Sequence, residues 1–167
     1  SFAAIAWLCI DWMTSKKPKF IGLLTGGVAG LATITPAAGF VSPPSACLIG
    51  IVAGIVCFYA VGLKNRMGWD DALDVWGVHG VGGIVGTFML GILATTAFNP
   101  AGTNGLLQGN MHFFLVQCAA LLIASIWAFA FTLGMLWVVD RITPVRVSEE
   151  TEQMGLDQGL GGESAYL

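Results

Sequence analysis

Long apolar stretches, separated by short polar or charged breaks, make up most of this chain. Apolar runs of this kind, with glycines inside them, are typical of closely packed membrane-spanning helices. We expect helices over residues 2–13, 20–35, 46–63, 71–97 and 111–139. The third of these helices has the length of a membrane span, the second is short for one, and the last is long enough to tilt. In the third helix, Gly50 and Gly54 have the four-residue spacing of small residues at which helices pack closely.

The breaks contain residues that begin and end helices. Pro43 is placed to open the third helix, with Ser42 or Ser45 as its N-cap. From residue 144 onwards the chain becomes polar and acidic. The sequence is therefore divided into transmembrane helices, residues 1–143, and a tail, residues 144–167.

Composition places the chain in a membrane. Hydrophobic residues make up 56% of the 167 and charged residues only 10%, and the mean hydropathy is +0.79. Those values exclude an ordinary soluble domain and indicate an all-α polytopic membrane protein that contacts the lipid bilayer.

The basic residues predict the orientation. If the five helices cross the membrane in turn, all seven Lys and Arg residues fall on one side, whereas the opposite loops, residues 36–45 and 98–110, contain no charged residue. Cytoplasmic loops carry an excess of Lys and Arg. We therefore expect the tail and residues 70–74 to lie in the cytoplasm of a cell-membrane protein.

His79 is the candidate for chemistry inside the membrane. If its helix begins near Asp71, His79 follows eight residues later, or roughly 12 Å along the axis, close to the middle of a hydrocarbon layer about 30 Å thick. Ionisable groups at such depth usually line a water-filled path or a bundle interior. The alternative is a structural histidine that donates to a backbone carbonyl of a neighbouring helix.

Asp71 and Asp74 precede His79 at the mouth of the same helix. Folded as one helix, residues 71–86 place both acids on one broad face, together with Val75, Val78, His79, Gly82 and Gly86. Such acids can bind a cation, or they can cap the helix, because helix N-termini favour negative charge. The capping role is the one we expect.

Other residues indicate no further chemistry. The four cysteines lack CxxC spacing and look like small buried hydrophobes. His112 begins the last helix at the outer boundary, where its ring can reach water. The chain has no P-loop, HExxH or nucleophile elbow. We expect no cofactor, no metal and no enzymatic activity.

Three motifs in order carry a family resemblance: residues 22–41, GLLTGGVAGLATITPAAGFV; residues 70–86, DDALDVWGVHGVGGIVG; and residues 155–166, GLDQGLGGESAY. The chain resembles the C-terminal part of the ammonium transporter (Amt/Mep/Rh) family, in its Amt branch. The resemblance implies a homotrimer of eleven-helix subunits, of which this chain supplies the last five helices. A first residue other than Met and a short first helix agree with a C-terminal fragment.

The resemblance also implies roles for individual residues. His79 matches the second of the family's paired pore histidines, and Val75 and Thr35 match pore-lining positions. Asp71 matches the structural acid at the helix start, with Asp74 beside it. The partner histidine and the phenylalanine gate belong to sequence upstream of this chain.

The function implied is transport of ammonium across the membrane, by removal of a proton and conduction of ammonia along the histidines. The tail resembles the segment that meets other subunits and, in bacteria, a PII-type regulatory protein, although Gly161 stands where the family often has a histidine. Two alternatives remain. One is an ammonium sensor of the same fold that signals through its tail, and the other is a membrane enzyme or electron carrier with His79 and His112 as ligands.

Overall fold

The computed structural model describes residues 1–164, and this part of the chain is helical without strands. A π-helical turn, Trp76–Gly80, leads directly into α4, and a 3₁₀ turn, Thr35–Ala37, follows α2. The predicted all-α fold class is confirmed. The α-helices are α1 (Phe2–Ser15), α2 (Phe20–Ile34), α3 (Pro43–Met67), α4 (Val81–Leu93), α5 (Met111–Ile142) and α6 (Glu149–Met154).

The chain forms two compact units, Ser1–Leu122 and Ile123–Leu167. The first contains α1 to α4 and the start of α5. The second contains the rest of α5 and the tail, with α6 and a π-helical turn, Asp157–Gly161. The end of the predicted tail, residues 165–167, which includes the last two letters of the third motif, lies outside the described residues.

Within residues 1–164, four helical segments have the length and apolar composition needed to cross a membrane. A shorter apolar helix, Phe2–Ser15, precedes them, as the sequence predicted for the first helix. The four are Phe20–Ala37, Pro43–Met67, Trp76–Leu93 and Met111–Ile142.

Three glycines spaced four residues apart bring α2 against α1. A Cβ on Gly22 would collide with the Asp11 carboxylate, one on Gly26 would lie 2.6 Å from Trp7 Cβ, and one on Gly30 would lie 2.7 Å from Ala3 Cβ. Residue numbers increase along α2 while those of the contacted residues decrease along α1, so the two helices are antiparallel. Small residues allow this close approach.

Two more glycines bring α3 against α1. A Cβ on Gly50 would lie 3.1 Å from Phe2 Cβ, and one on Gly54 would lie 2.6 Å from the Ala3 carbonyl oxygen. The predicted packing role of the Gly50 and Gly54 pair is confirmed. A buried cluster lies where α1 to α3 meet the π-helical turn, and it consists of Trp7, Ala29, Cys57, Val61 and Val78.

Local signals set the ends of α3. Ser42 caps its start, accepting from the Ser45 backbone N–H at 3.2 Å, with Pro43 at the first helical position. Gly68, at φ 65°, ends it in a left-handed conformation. The predicted bounds, residues 46–63, were therefore too short, because charged and polar residues extend the last turn to Met67.

Candidate functional site

The element that carries His79 begins at Trp76 and not at Asp71. The Asp74 backbone N–H donates to the Asp71 carbonyl at 3.2 Å, so residues 71–74 form a turn. His79 therefore lies in the first turn of its helical segment, and the predicted helix start near Asp71 is wrong. The depth of His79 in the membrane stays a prediction. The segment also ends at Leu93 and not near residue 97.

Asp71 caps this segment. One of its carboxylate oxygens accepts the Val75 N–H and the other accepts the Trp76 N–H, both at 2.9 Å. Two backbone donors that the first turn of a helix leaves without partners are thereby satisfied. The negative charge also lies where the partial positive charge of the helix N-terminus favours it.

Asp74 contacts a buried cation. Its carboxylate lies 2.7 Å from Lys64 Nζ, and only 6% of the Lys64 side chain is exposed. Lys64 Nζ also donates to the Asp71 carbonyl at 2.6 Å. Asp74 itself has φ 56°, a left-handed conformation that Asp tolerates better than most residues. Both predicted acids thus take part in one hydrogen-bonded junction between α3 and the His79 segment.

The three predicted pore residues, His79, Val75 and Thr35, are all exposed in this chain. The Thr35 hydroxyl donates to the Leu31 carbonyl at 2.7 Å, within its own helix. The His79 imidazole makes no hydrogen bond or ion pair with any part of the chain that the structure describes. These three side chains are therefore accessible to other molecules or to other parts of a subunit.

The predicted broad face divides into an open side and a packed side. Val75 and His79 lie on the open side, whereas Val78, Gly82 and Gly86 are buried. Since Val78 adjoins His79, the packing of the buried side fixes the turn from which the imidazole projects.

Thr33 of α2 lies at the centre of the packed side. A Cβ on Gly82 would lie 2.8 Å from the Thr33 hydroxyl oxygen and 3.5 Å from Cys57 Sγ. A Cβ on Gly86 would collide with the Thr33 carbonyl oxygen. The His79 segment therefore approaches the α2 backbone at Gly86 and the Thr33 side chain at Gly82, and the absence of a side chain at both glycines gives the room for it.

The site includes two charged residues that sequence analysis missed, Asp11 and Lys64. Asp11 is 4% exposed and lies 3.4 Å from Lys19 Nζ. A cavity of about 280 Å³ between the helix ends is lined by Asp11 and Lys19 and by Asn65 and Asp74. The signal for Asp11 was available, since a single acid within an apolar helix marks a paired or functional group.

Among residues 1–164, no three His, Cys, Asp or Glu side chains come together in a group that could hold a metal ion. His112, the second residue of α5, is exposed. The alternative in which His79 and His112 share a metal thus has no third ligand in the described part of the chain.

Comparison with known proteins decides the family. The model of the Ammonium Transporter Family matches residues 1–166. The chain belongs to the ammonium transporter family. An "Ammonium transporter" of Bacillus subtilis (strain 168) is 42% identical over 161 residues, which cover 96% of this chain and 40% of that protein.

Solved structures agree with the family assignment. The crystal structure of Saccharomyces cerevisiae Mep2 superposes with a TM-score of 0.83 at 34% identity, covering 89% of this chain and 35% of that one. A structure described as a "Sensor Amt Protein" superposes with a TM-score of 0.82 at 29% identity, covering 93% of this chain and 38% of that one. This family member spans about 40% of the length of the relatives it matches.

Proposed function

We propose that this chain is the C-terminal part of an ammonium transporter subunit and that His79, Val75 and Thr35 line its pore. The observation that carries the proposal is the position of His79. It projects without a hydrogen-bond partner in residues 1–164 from a segment fixed on its other side by glycine packing. A polar ring that the chain itself leaves open is available to a transported molecule.

The physical chemistry of ammonium favours a conducted neutral species. Moving the bare cation from water into an apolar pore costs far more free energy than moving neutral ammonia. A neutral imidazole offers one donor and one acceptor nitrogen, so it can hydrogen-bond ammonia without adding charge. We propose that ammonium loses its proton before the apolar part of the pore and that ammonia passes along His79.

The proposal is tested by His79→Ala in the complete subunit, reconstituted in liposomes. A lost polar contact in an apolar site is worth about 1–3 kcal/mol, so ammonium flux per inserted transporter should fall by about fivefold to 150-fold, or the transporter should lose discrimination against potassium. His112→Ala is the matched control, because that imidazole is exposed at the start of α5, and its flux should stay at the wild-type value.

The alternative structural role of His79 predicts the reverse result. If the imidazole only ties helices together, His79→Ala lowers the amount of inserted protein, while each inserted copy transports normally. Normal flux with unchanged selectivity would therefore remove His79 from the pore.

A sensor function is the second candidate, because a protein described as a "Sensor Amt Protein" shares the fold at a TM-score of 0.82. A sensor would bind ammonium without net flux through the liposomes. Assembly as a homotrimer and contact of the tail with a PII-type regulatory protein are inferred from the resemblance and stay predictions.

A further inference from the structure

Lys64 is a buried cation at the end of α3. Only 6% of its side chain is exposed, although Arg66, two residues later in the same basic cluster, is exposed. Burying an ammonium group is unfavourable unless it is paired and hydrogen-bonded. Its position therefore depends on the groups that it contacts.

Both contacts of the Lys64 ammonium group lie in the loop between α3 and the His79 segment. It donates to the Asp71 carbonyl at 2.6 Å and pairs with the Asp74 carboxylate at 2.7 Å. The Trp69 N–H also donates to the Lys64 carbonyl at 3.3 Å. One residue of α3 thus holds this loop at three points.

The same loop residues start the His79 segment. Asp71 caps the Val75 and Trp76 N–H groups, and the Val78 N–H donates to the Asp74 carbonyl at 2.9 Å. One turn before Lys64 on α3, Val61 contacts Gly77, where an added Cβ would lie 2.7 Å from Val61 Cγ2. Hydrogen bonds and packing therefore lead from Lys64 to the residue next to His79.

We infer that Lys64 is a positioning residue, whose buried ammonium group fixes where the π-helical turn begins and thereby where the His79 imidazole projects. The part of this inference that concerns transport rests on the proposed function. The part that concerns position does not, and the two can be measured separately.

Position is measured by cysteine reactivity in the complete subunit, after replacement of all its native cysteines. The rate at which N-ethylmaleimide modifies His79→Cys should change by about tenfold when Lys64→Met is added, a difference that a modest change in local free energy produces. Arg66→Met is the matched control, because it removes an exposed charge from the same helix end, and it should leave the rate unchanged.

Flux through liposomes is measured with the native His79. Lys64→Met and Asp74→Asn should each lower ammonium flux per inserted transporter. The double variant should lower it no further than the stronger single variant, because both substitutions break the same ion pair between Lys64 and Asp74. Asn tolerates the left-handed conformation of residue 74 as well as Asp does, so Asp74→Asn removes the charge without straining the backbone.

Two results would overturn the inference. One is an unchanged modification rate and unchanged flux in Lys64→Met. The other is failure of both Lys64→Met and Asp74→Asn to insert, since the pair would then serve folding. If Lys64→Met changes the modification rate of His79→Cys but the wild-type protein carries no ammonium, the positioning role stands and the proposed function fails.

Discussion

At the scale of single residues, the contact between Thr33 and Gly86 has the least room in the site. The Thr33 carbonyl oxygen occupies the place that a Cβ at Gly86 would need, and Pro36 Cγ lies 3.0 Å from that place. A backbone atom cannot rotate away as the end of a side chain can. Any side chain at residue 86 must therefore push α4 away from α2.

Gly86→Ala in the complete subunit should lower the free energy of unfolding by about 1–3 kcal/mol, the usual effect of overpacking. The thermal midpoint of the purified protein in detergent measures it. Gly134→Ala in α5 is the control, because a Cβ added there would meet no other helix of residues 1–164 within 4 Å, and its midpoint should not fall. A Gly86→Ala protein as stable as the wild type would show that α2 and α4 separate without cost.

Residue roles were only partly predictable from the sequence. The tendency of acids to cap helices led to Asp71, and the small-residue spacing led to Gly50 and Gly54. The pairing of Lys64 with Asp74 was not predictable, because it depends on the left-handed conformation of Asp74 and on how α3 ends. In the sequence, Lys64 is one of several basic residues and nothing distinguishes it from Arg66.

At the scale of elements, apolar runs predicted the existence of every long helix but not the start of the one that carries His79. Residues 70–74 are three acids, an alanine and a leucine, and nothing in that composition forbids a helix. The turn forms because Lys64 binds the Asp71 carbonyl and the Asp74 carboxylate, and because Asp71 caps from outside the helix. These tertiary contacts override a helical pattern that looked continuous.

The π-helical turn Trp76–Gly80 has a similar cause. Gly77 packs on Val61 of α3, and Gly82 packs on Thr33 of α2, so the segment is held by different helices a few residues apart. A π-helical turn inserts extra backbone between such contacts and often occurs at functional sites. Sequence periodicity assumes 3.6 residues per turn and so could not show it.

At the scale of the whole molecule, the helix ends that carry the basic residues of the first unit meet at one cavity. It is lined by Lys19 from the start of α2, Asn65 from the end of α3 and Asp74 from the loop before the His79 segment. This arrangement supports the alternating path of the first helices from which the cytoplasmic side was predicted. The orientation itself stays a prediction.

Labelling of introduced cysteines tests the orientation. In a complete subunit without native cysteines, Ala101→Cys should react with a membrane-impermeant maleimide in right-side-out vesicles, and Glu150→Cys should react only in inside-out vesicles. Both residues are exposed, so accessibility to the reagent depends on the side of the membrane. Reaction of both from one side would contradict the predicted five-helix topology.

The surfaces of the chain show what it needs around it. His79, Val75 and Thr35 face outwards, as do large apolar residues of α2, among them Phe20, Ile21 and Leu31, which are 73%, 77% and 70% exposed. Lipid can cover the apolar residues. A path along His79 with lipid on one side and protein on the other would not be selective for one transported molecule. The proposed pore along His79 therefore needs a second wall of protein, since transporter sites commonly lie between two packed halves of the fold.

We therefore predict that this chain, expressed alone, does not restore growth on limiting ammonium to cells that lack their own transporters. Growth should be restored by a chimera in which this chain replaces the matching 161-residue region of the Bacillus subtilis relative. The same chimera with His79→Ala should not, although it should insert in equal amount. The complete relative is the positive control. Growth supported by the chain alone would show that residues 1–167 enclose a pore without a second wall. Failure of the chimera to support growth would show that this chain does not supply its part of a working pore.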